Sequence, residues 1–579
     1  MLANEDMQKL YWRIKNNETS SVYTPSISQT VAKTKDRATI INYIALALTC
    51  SLLLRLVYIN TFNSKFLTDQ MNTRVLRTQK LTAMRGTITD RNDHPLAVST
   101  PVASIWADPA ELSELNSRQL QLLATTLHMT VAEINTKLSG KDKTFVYLKR
   151  AVAPQQAQQV QDLAIMGIYS LPEYKRYYPS GEVAAHVVGF NNIDDRGADG
   201  IEYAAEKLLE GTNGTKQIIR DLHGRVVENV GVMQAAHNGQ QVALALDNRI
   251  QYLAYNALKD QVELSQAKGG SVVVLDAKTG EVLSMINMPT YNPNNRDNVT
   301  LEMLKNRAAV NVYDPGSIMK PLVIAKALDD KLVTPQTVFD THPYTVGPKL
   351  IKDDHPYPQM TVAEIIQHSS DIGTSKIALK YSSQDLWNYY RAVGIGQKMG
   401  TGFPGETKGI LLDWHKWHPI DQALMSYGYG ISVSLFQMAH AYSIFTNNGC
   451  LLPVTFTKLE PQQQLACQQV ISPATAATMR TILAATTEDG TGKSARVADY
   501  TVAGKTGTAQ VLIDGHYSNS KHIASFVGFA PALNPRIIVA VMIDQPAHGL
   551  YYGASIAAPV FAKITAPTLH LLGVQPDKN

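Results

Sequence analysis

One long apolar segment, residues 38–59, constrains this chain more than any other feature of its sequence. The segment reads ATIINYIALALTCSLLLRLVYI, and as an α-helix it is long enough to cross the hydrocarbon core of a bilayer. Arg55 lies near one end, where its side chain is able to reach the membrane interface. A transmembrane helix is therefore predicted here, with the rest of the chain folding on either side of the membrane.

Two alternatives for this segment are a cleaved signal peptide and a buried core helix. A signal peptide is disfavoured because the segment begins far from Met1 and no small-residue cleavage site precedes Asn60. We expect an uncleaved anchor after a polar, loosely structured tail of residues 1–37. The flanking cations favour a cytoplasmic N-terminus only modestly; they are Lys33, Lys35 and Arg37 before the segment and Lys65, Arg74 and Arg77 after it.

Length and composition exclude several classes of protein. With 579 residues, two or more folded domains are expected, and 45% hydrophobic with 18% charged residues is typical of a globular chain. A net charge of +4 without a basic block gives no support for nucleic-acid binding. Neither C-x-x-C nor H-E-x-x-H occurs, so we expect no metal and no cofactor.

Only three cysteines occur in the chain. Cys50 lies inside the apolar segment, whereas Cys450 and Cys467 lie in the C-terminal part. A disulfide between the last two and a pair of buried free thiols are both compatible with the sequence.

The pattern of apolar residues changes near residue 239. Residues 60–238 alternate short apolar runs with Gly-bearing turns, which predicts an elongated α+β pedestal domain without a catalytic constellation. Within it, residues 101–108 are predicted as a strand and residues 110–115 as a helix. A second domain is predicted for residues 239–579.

The second domain is predicted to contain one antiparallel sheet flanked by helices. Residues 270–275 and 282–286 form a clear hairpin pattern, and residues 248–258 have helical spacing. The middle is rich in helical patterns, and further strands are predicted at residues 242–246, 500–511, 525–529 and 537–543. The fold class is therefore α+β.

Ser317 and Lys320 form an S-x-x-K motif directly after the helix breaker Pro315-Gly316. Three-residue spacing places the two side chains on one face of a helix, about one turn apart. The positive end of a helix dipole favours the neutral form of a lysine, which is then able to deprotonate a serine. Taken alone, the motif is a weak signal, and an N-capped helix with a solvated lysine is the more common explanation of such a spacing.

Two further motifs follow in order. Residues 367–373 contain Ser369 and Asp371 on a polar turn, and residues 502–509 are predicted as a strand edge carrying a K-T-G motif: Lys505, Thr506, Gly507 and Thr508. The order S-x-x-K, S-x-N, K-T-G is the signature of penicillin-binding proteins and serine β-lactamases. An ordered triple is far more specific than any of its members.

The chain resembles the class B penicillin-binding proteins, and within them the division-specific FtsI-type branch of Gram-negative bacteria. Elements outside the three motifs carry the same resemblance, at residues 85–91, 176–182, 200–202, 447–449 and 551–553. The resemblance implies a single transmembrane helix, a pedestal domain of the dimerisation type and a C-terminal transpeptidase domain. It also implies the bacterial inner membrane, with the N-terminus in the cytoplasm and the bulk in the periplasm.

The resemblance implies an acyl transfer that cross-links peptidoglycan stem peptides. Ser317 would be the nucleophile, Lys320 its base, Ser369 a proton relay and Asp371 the residue that holds both in place. The substrate carboxylate would bind at the third motif, and backbone N–H groups of Ser317 and Thr508 would form the oxyanion hole. Implied partners are lipid-linked nascent glycan, an FtsW-type membrane glycosyltransferase and other division proteins, with β-lactams as covalent inhibitors.

Two residues depart from the family pattern. Asp371 stands where the second motif usually ends in Asn, and an ionised carboxylate only accepts hydrogen bonds whereas an amide also donates them. We expect slower acylation or a changed substrate preference, although the elongation-type branch of the family carries Asp there. Asp93 replaces a glycine at a turn that needs positive φ, which Asp tolerates.

Two other functions compete with transpeptidation. A β-lactamase or carboxypeptidase would use water in place of the acceptor amine, but no dedicated base for that step stands out in the sequence. A catalytically weak scaffold or β-lactam sensor is favoured only by Asp371.

Overall fold

The computed structural model describes residues 27–61, 63–66, 69, 76–112, 115–139, 145–220, 226–463, 465–547 and 551–578. The chain divides into two compact units, Met1–Gln79 with Gln217–Gly231 and Lys80–Lys216 with Val232–Asn579. The predicted domain boundary at residue 239 falls inside the second unit and stays a prediction.

The first unit contains a helix, α1 (Ile27–Thr61), whose stretch Arg37–Thr61 is long and apolar enough to cross a membrane. Residues 27–37, predicted as loosely structured, continue this helix, because no proline or glycine interrupts it and each added residue gains one hydrogen bond. Residues 1–26 of the predicted tail and Arg74 lie outside the described residues. A three-stranded sheet has the order β1–β6–β7.

The N-terminal half of the second unit is built around β3, which pairs antiparallel with both β4 and β5. Helices pack on this sheet around a small core that includes Ile105, Leu123 and Leu148. The strands of the region up to residue 234 are β1 (Leu76–Leu81), β2 (Ile88–Thr89), β3 (Pro95–Ala107), β4 (Val146–Val152), β5 (Ile168–Tyr177), β6 (Gly214–Arg220) and β7 (Val226–Gln234). The helices are α2 (Ser117–Leu127), α3 (Val131–Leu138), α4 (Pro154–Asp162), α5 (Ala185–Val188), α6 (Gly200–Ala204) and α7 (Glu206–Leu209).

The strand predicted at residues 101–108 is confirmed as part of β3, but the helix predicted at 110–115 is wrong. The backbone N–H of Ala110 donates to the Asp108 carboxylate at 3.0 Å, which makes a turn of this segment. The helix begins at Ser117, where Asn116 caps it by accepting from the N–H of Gln119. The helix therefore starts later than predicted, because the side chains of Asp108 and Asn116 accept hydrogen bonds from nearby backbone N–H groups.

The C-terminal half contains a five-stranded antiparallel sheet of order β10–β9–β19–β18–β17. Its strands, with the short ones around it, are β8 (Val242–Ala243), β9 (Gly269–Asp276), β10 (Val282–Met288), β11 (Val338–Asp340), β12 (Tyr344–Val346), β13 (Lys349–Ile351), β14 (Gln359–Thr361), β15 (Cys450–Leu451), β16 (Gln468–Gln469), β17 (Ala503–Ile513), β18 (His516–Ala530) and β19 (Ile537–Asp544). The predicted hairpin is β9–β10 and is confirmed, whereas the strand predicted at 242–246 is reduced to the two residues of β8.

Helices cover both faces of this sheet. The helices of the C-terminal half are α8 (Asn248–Leu264), α9 (Leu301–Leu304), α10 (Arg307–Val310), α11 (Lys320–Asp329), α12 (Val362–Gln367), α13 (Asp371–Ala378), α14 (Ser383–Ala392), α15 (Pro419–Ser426), α16 (Leu435–Ala441), α17 (Ser443–Thr446), α18 (Pro473–Glu488) and α19 (Gly553–Leu571). Along β9, Val272 and Val274 join one hydrophobic core while Val273 and Leu275 join the other. This period of two explains why the strand is apolar throughout.

Of the two open alternatives for the cysteines, the structure has the disulfide. Cys450 and Cys467 are bonded across the short strand pair β15–β16, with their Cα atoms 5.7 Å apart. Cys50 remains a free thiol in helix α1.

Candidate active site

Ser317 lies in a 3₁₀ turn, Gly316–Met319, that leads directly into helix α11. Gly316 has φ +60°, and its N–H donates to the carbonyl of Gly428 at 3.0 Å. Ser317 is half-buried, and its hydroxyl has no hydrogen-bond partner among the described residues. The nucleophile candidate is thus held by a rigid turn while its oxygen is left uncommitted.

Lys320 is fully buried at the first position of α11. Its backbone N–H donates to the carbonyl of Ser317, which closes the turn between the two residues. Its Nζ lies 2.6 Å from Asp371 Oδ1 and donates to Ser369 O at 2.5 Å and Ser369 Oγ at 3.1 Å. The Nζ of Lys320 therefore contacts three atoms of the second motif and makes no contact with the Ser317 hydroxyl among the described residues.

The second motif forms a strained turn at the start of helix α13. Ser369 has φ +62°, a conformation that is uncommon for a residue with a side chain and that often accompanies function. The next residue, Ser370, caps the helix by accepting from the N–H of Gly373 at 2.9 Å. Because Asp371 is the first helical residue, its side chain is fixed beside Lys320.

Asp353 supports this turn and was not predicted as a site residue. One carboxylate oxygen accepts from the N–H groups of Asp371 at 2.7 Å and Ile372 at 3.0 Å, and the other accepts from Ser370 Oγ at 2.5 Å. A carboxylate stabilises a helix N-terminus in this way. No local pattern links it to the motif, so the only available signal was the general preference of helix N-termini for acidic residues.

The third motif lies on β17, the edge strand of the five-stranded sheet, as predicted. Lys505 is fully buried and its Nζ donates to Ser369 Oγ at 2.9 Å. Ser369 Oγ therefore accepts from two lysines, one from each of the other motifs. Thr506 Oγ1 donates to Thr491 Oγ1 at 3.1 Å, and Thr508 Oγ1 accepts from the N–H of Gly553 at 3.1 Å.

Gly507 permits the close approach of β17 to the Ser317 turn. A Cβ at this position would lie 3.0 Å from Ile318 Cγ2 and 3.0 Å from Pro315 O. Only a residue without a side chain fits between the strand and the turn. The three motifs are thus brought together, with Ser369 at their centre.

Burial and charge shift the pKa values of two of these groups in opposite directions. Burial raises the pKa of the Asp371 carboxyl, with Asp353 and Asp354 adding to the rise and Lys320 opposing it. Burial lowers the pKa of Lys505 well below its ordinary value; Lys320 adds to this and Asp371 opposes it. For both Asp371 and Lys505 the shift favours the neutral form, which is suited to proton transfer around the Ser369 hydroxyl.

The described residues contain no group of three or more His, Cys, Asp and Glu side chains arranged to hold a metal ion. The groups that the three motifs bring together are the hydroxyls of Ser317 and Ser369, the amines of Lys320 and Lys505 and the carboxyl of Asp371.

Comparison with known proteins identifies the family of the chain. Residues 270–566 match the family model of the penicillin-binding protein transpeptidase domain, and residues 80–244 match that of the penicillin-binding protein dimerisation domain. The chain is 43% identical over 534 residues to a probable peptidoglycan D,D-transpeptidase, PenA, of Neisseria meningitidis, covering 91% of each chain.

Two further relatives have similar coverage. The peptidoglycan D,D-transpeptidase FtsI of Escherichia coli K12 is 37% identical over 535 residues, covering 91% of this chain and 90% of the relative. A probable peptidoglycan D,D-transpeptidase of Pseudomonas aeruginosa, PbpC, is 37% identical over 527 residues, covering 90% and 93%. The chain therefore belongs to the class B penicillin-binding proteins and is a peptidoglycan D,D-transpeptidase.

Proposed function

We propose that this protein cross-links peptidoglycan through an acyl-enzyme on Ser317, and that it does so in septal wall synthesis during cell division. The observation that carries the proposal is that Lys320 and Lys505 both donate to Ser369 Oγ, while Ser317, three residues before Lys320, keeps its hydroxyl uncommitted. A nucleophile, a base and a proton relay are the groups that an acyl transfer of this kind requires.

In the first half-reaction, Ser317 Oγ attacks the carbonyl carbon of the penultimate D-Ala of a stem peptide. Lys320 in its neutral form takes the hydroxyl proton, and Ser369 passes a proton to the nitrogen of the terminal D-Ala as the peptide bond breaks. The free D-Ala leaves, and the rest of the stem peptide remains as an ester on Ser317. In the second half-reaction, the amine of a neighbouring stem peptide attacks this ester, releases Ser317 and forms the cross-link.

Substrate binding is assigned to the edge strand β17. We assign the substrate carboxylate to Lys505, Thr506 and Thr508, and the close approach of the ligand backbone to Gly507. The oxyanion that develops on the attacked carbonyl would accept from the backbone N–H groups of Ser317 and Thr508. Asp371 would hold Ser369 and Lys320 in place. β-Lactams would acylate the same hydroxyl and so inhibit the enzyme.

The anchor and the disulfide favour a periplasmic location. Helix α1 is suited to a single membrane crossing, and the Cys450–Cys467 disulfide indicates an oxidising compartment for the C-terminal half. We therefore propose that the N-terminus lies in the cytoplasm and the bulk in the periplasm, with residues 60–238 as pedestal and 239–579 as transpeptidase domain. The proposed partners are lipid-linked nascent glycan, an FtsW-type glycosyltransferase and other division proteins.

Labelling with a fluorescent penicillin tests the acyl-enzyme. We expect a stable covalent adduct on the wild type, its complete loss in Ser317→Ala and its retention in Ser139→Ala, a control at an exposed serine outside the site. An unlabelled wild type would contradict the proposal. Label that is lost within minutes would indicate hydrolysis and hence a β-lactamase.

The septal role needs a separate experiment. Depletion of the protein should produce filamentous cells, because elongation continues while the septum fails. Rounded cells would instead assign the protein to elongation and overturn the septal part of the proposal.

A further inference from the structure

A large cavity lies apart from the serine and lysine motifs. It has a volume of about 790 Å³ and is lined by residues between 150 and 195 of the N-terminal half and between 293 and 304 of the C-terminal half. None of the site residues named above lines it. Its volume is in the range of pockets that hold small ligands, but its lining is far more polar than is usual for them.

Much of that polarity is already paired inside the protein. Arg150 contacts the carboxylates of Glu173 at 3.4 Å and Asp194 at 3.1 Å. Asn294 is committed on both sides of its amide, since its oxygen accepts from the Tyr178 N–H and its nitrogen donates to the Tyr178 carbonyl. These groups build the wall of the cavity and leave little hydrogen-bonding capacity for a ligand.

The groups that remain uncommitted are mostly donors. Lys175 is exposed, and its ammonium has no partner among the described residues. The amide oxygen of Asn192 accepts from the backbone N–H of Asp194 at 2.9 Å, and that of Asn295 accepts from the backbone N–H of Asp297 at 3.3 Å. The NH₂ groups of both asparagines have no partner among the described residues. The one uncommitted carboxylate in this lining is that of Asp297.

The guanidinium of Arg296 is positioned by the protein and keeps donors available for a ligand. Its guanidinium lies over the ring of Phe190, 4.2 Å from the centroid, and Nη2 donates to the carbonyl of Asn191 at 3.3 Å. Its remaining N–H groups have no partner among the described residues, and no described acid pairs with it. A guanidinium that is positioned by stacking loses less entropy when it binds a carboxylate.

We propose that this cavity is a second, non-catalytic peptidoglycan site that binds a carboxylate-bearing stem peptide. A cavity with uncommitted donors selects a ligand rich in carbonyl and carboxylate oxygens, and the single carboxylate of Asp297 suits one free amine. Stem peptides of the polymer that this enzyme cross-links carry all of these groups. The proposal rests on the peptidoglycan substrate but not on the role proposed for Ser317.

Isothermal titration of the full chain in detergent with a purified disaccharide-tetrapeptide tests the proposal. This probe lacks the terminal D-Ala and so does not acylate the enzyme. We expect saturable binding that is unchanged by saturating benzylpenicillin and weakened about 10- to 100-fold in Lys175→Ala/Arg296→Ala, as expected for two lost charge-assisted hydrogen bonds. The charge-matched control Arg118→Ala/Lys563→Ala, at two exposed cations outside the cavity, should bind like the wild type.

Several outcomes would overturn the proposal. Binding abolished by benzylpenicillin would place the probe in the catalytic cleft, and equal binding of a neutral chitin tetrasaccharide would remove the need for carboxylates. Equal binding of an L-peptide of the same charge would reassign the cavity to a protein partner. Penicillin adduct formation, followed by mass, is measured in the same samples, so failure of the acyl-enzyme proposal is seen separately. A thermal melt like that of the wild type shows that the double variant is folded.

Discussion

At the scale of single residues, Asp371 is where this site differs most from the usual second motif. Its carboxylate lies 2.6 Å from the Nζ of Lys320. The asparagine that usually occupies this position carries no charge. An ionised carboxylate binds the Lys320 Nζ as an ion-pair partner, which keeps Lys320 engaged away from the Ser317 hydroxyl and works against its use as a general base. The raised pKa of Asp371 partly offsets this effect, because a neutral carboxyl is available over a wider range of pH.

Replacing Asp371→Asn should make acylation by benzylpenicillin faster at neutral pH by about three- to tenfold, since the anion that binds the Lys320 side chain is removed. The difference should shrink as the pH falls through the raised pKa of Asp371, where the wild-type carboxyl itself becomes neutral. Stopped-flow acylation rates between pH 4.5 and 8 would measure this. Asp354→Asn, an equal change of charge at an exposed neighbour, should have little effect, and a rate ratio independent of pH would contradict the role given to Asp371.

Lys505 is expected to lower the free energy of unfolding at neutral pH. The pKa of Lys505 in the folded state lies well below the ordinary 10.5. At a pH between the folded and the unfolded pKa, Lys505 is protonated in the unfolded chain but not in the folded one. The free energy of unfolding therefore rises with pH across this range. Lys505→Gln should remove that rise and increase the free energy of unfolding at neutral pH by about 1–3 kcal/mol, while acylation is lost.

Thermal melts from pH 6 to 10 would measure the effect of Lys505→Gln. Lys563→Gln on the exposed face of α19 is the control and should leave the pH dependence of stability unchanged. A variant that is less stable than the wild type at neutral pH would show that the hydrogen bond to Ser369 outweighs the burial of the amine.

At the scale of elements, the spacing between β17 and the Ser317 turn decides whether the site assembles. Gly507→Ala would place a methyl group 3.0 Å from Pro315 O and against the hydroxyl of Ser525. Because the strand must move away from the turn, acylation should fall by about 100-fold, with a loss of about 1–3 kcal/mol in stability. Gly231→Ala, where nothing lies within 4 Å of the added carbon, is the control and should leave acylation unchanged.

Elements with a strong local pattern were predicted well. The hairpin β9–β10, helix α8 and the edge strand β17 follow from apolar periodicity and glycine-bearing turns, which act over a few residues. The predicted helix at 110–115 was wrong because two polar side chains, Asp108 and Asn116, bind nearby backbone groups instead. Periodicity alone does not show which backbone groups a polar side chain will bind.

At the scale of the whole molecule, a buried ion network connects distant segments of the N-terminal half. Both oxygens of Glu202 contact arginines, with Arg85 Nε and Arg176 Nε each at 2.6 Å, and all three side chains are nearly fully buried. Arg85 also contacts the partly exposed Glu206 at 2.5 Å. The network links a residue before β2, a residue of β5 and helix α6.

Glu202→Ala should lower the free energy of unfolding by about 3–5 kcal/mol, because two guanidinium groups are left buried without their shared partner. Glu206→Ala, which removes a partly exposed contact to one arginine, should cost about 1 kcal/mol. Denaturant unfolding curves measure both. The acylation rate of the folded fraction should stay at the wild-type value, and a selective loss of that rate would show that the network also positions the catalytic half.

The sequence by itself determined the long apolar helix near the N-terminus, the α+β class and the order of the three motifs, because each depends on residues close together in the chain. It did not determine that Lys320 bonds to Ser369 and Asp371 rather than to Ser317, that Asp353 supports the second motif, or that Cys450 and Cys467 pair. Those features join residues far apart in sequence, and only the packing of helices against the five-stranded sheet brings them within bonding distance. Charge distribution around Ser369 depends on the same packing, since burial is what shifts the pKa values of Asp371 and Lys505.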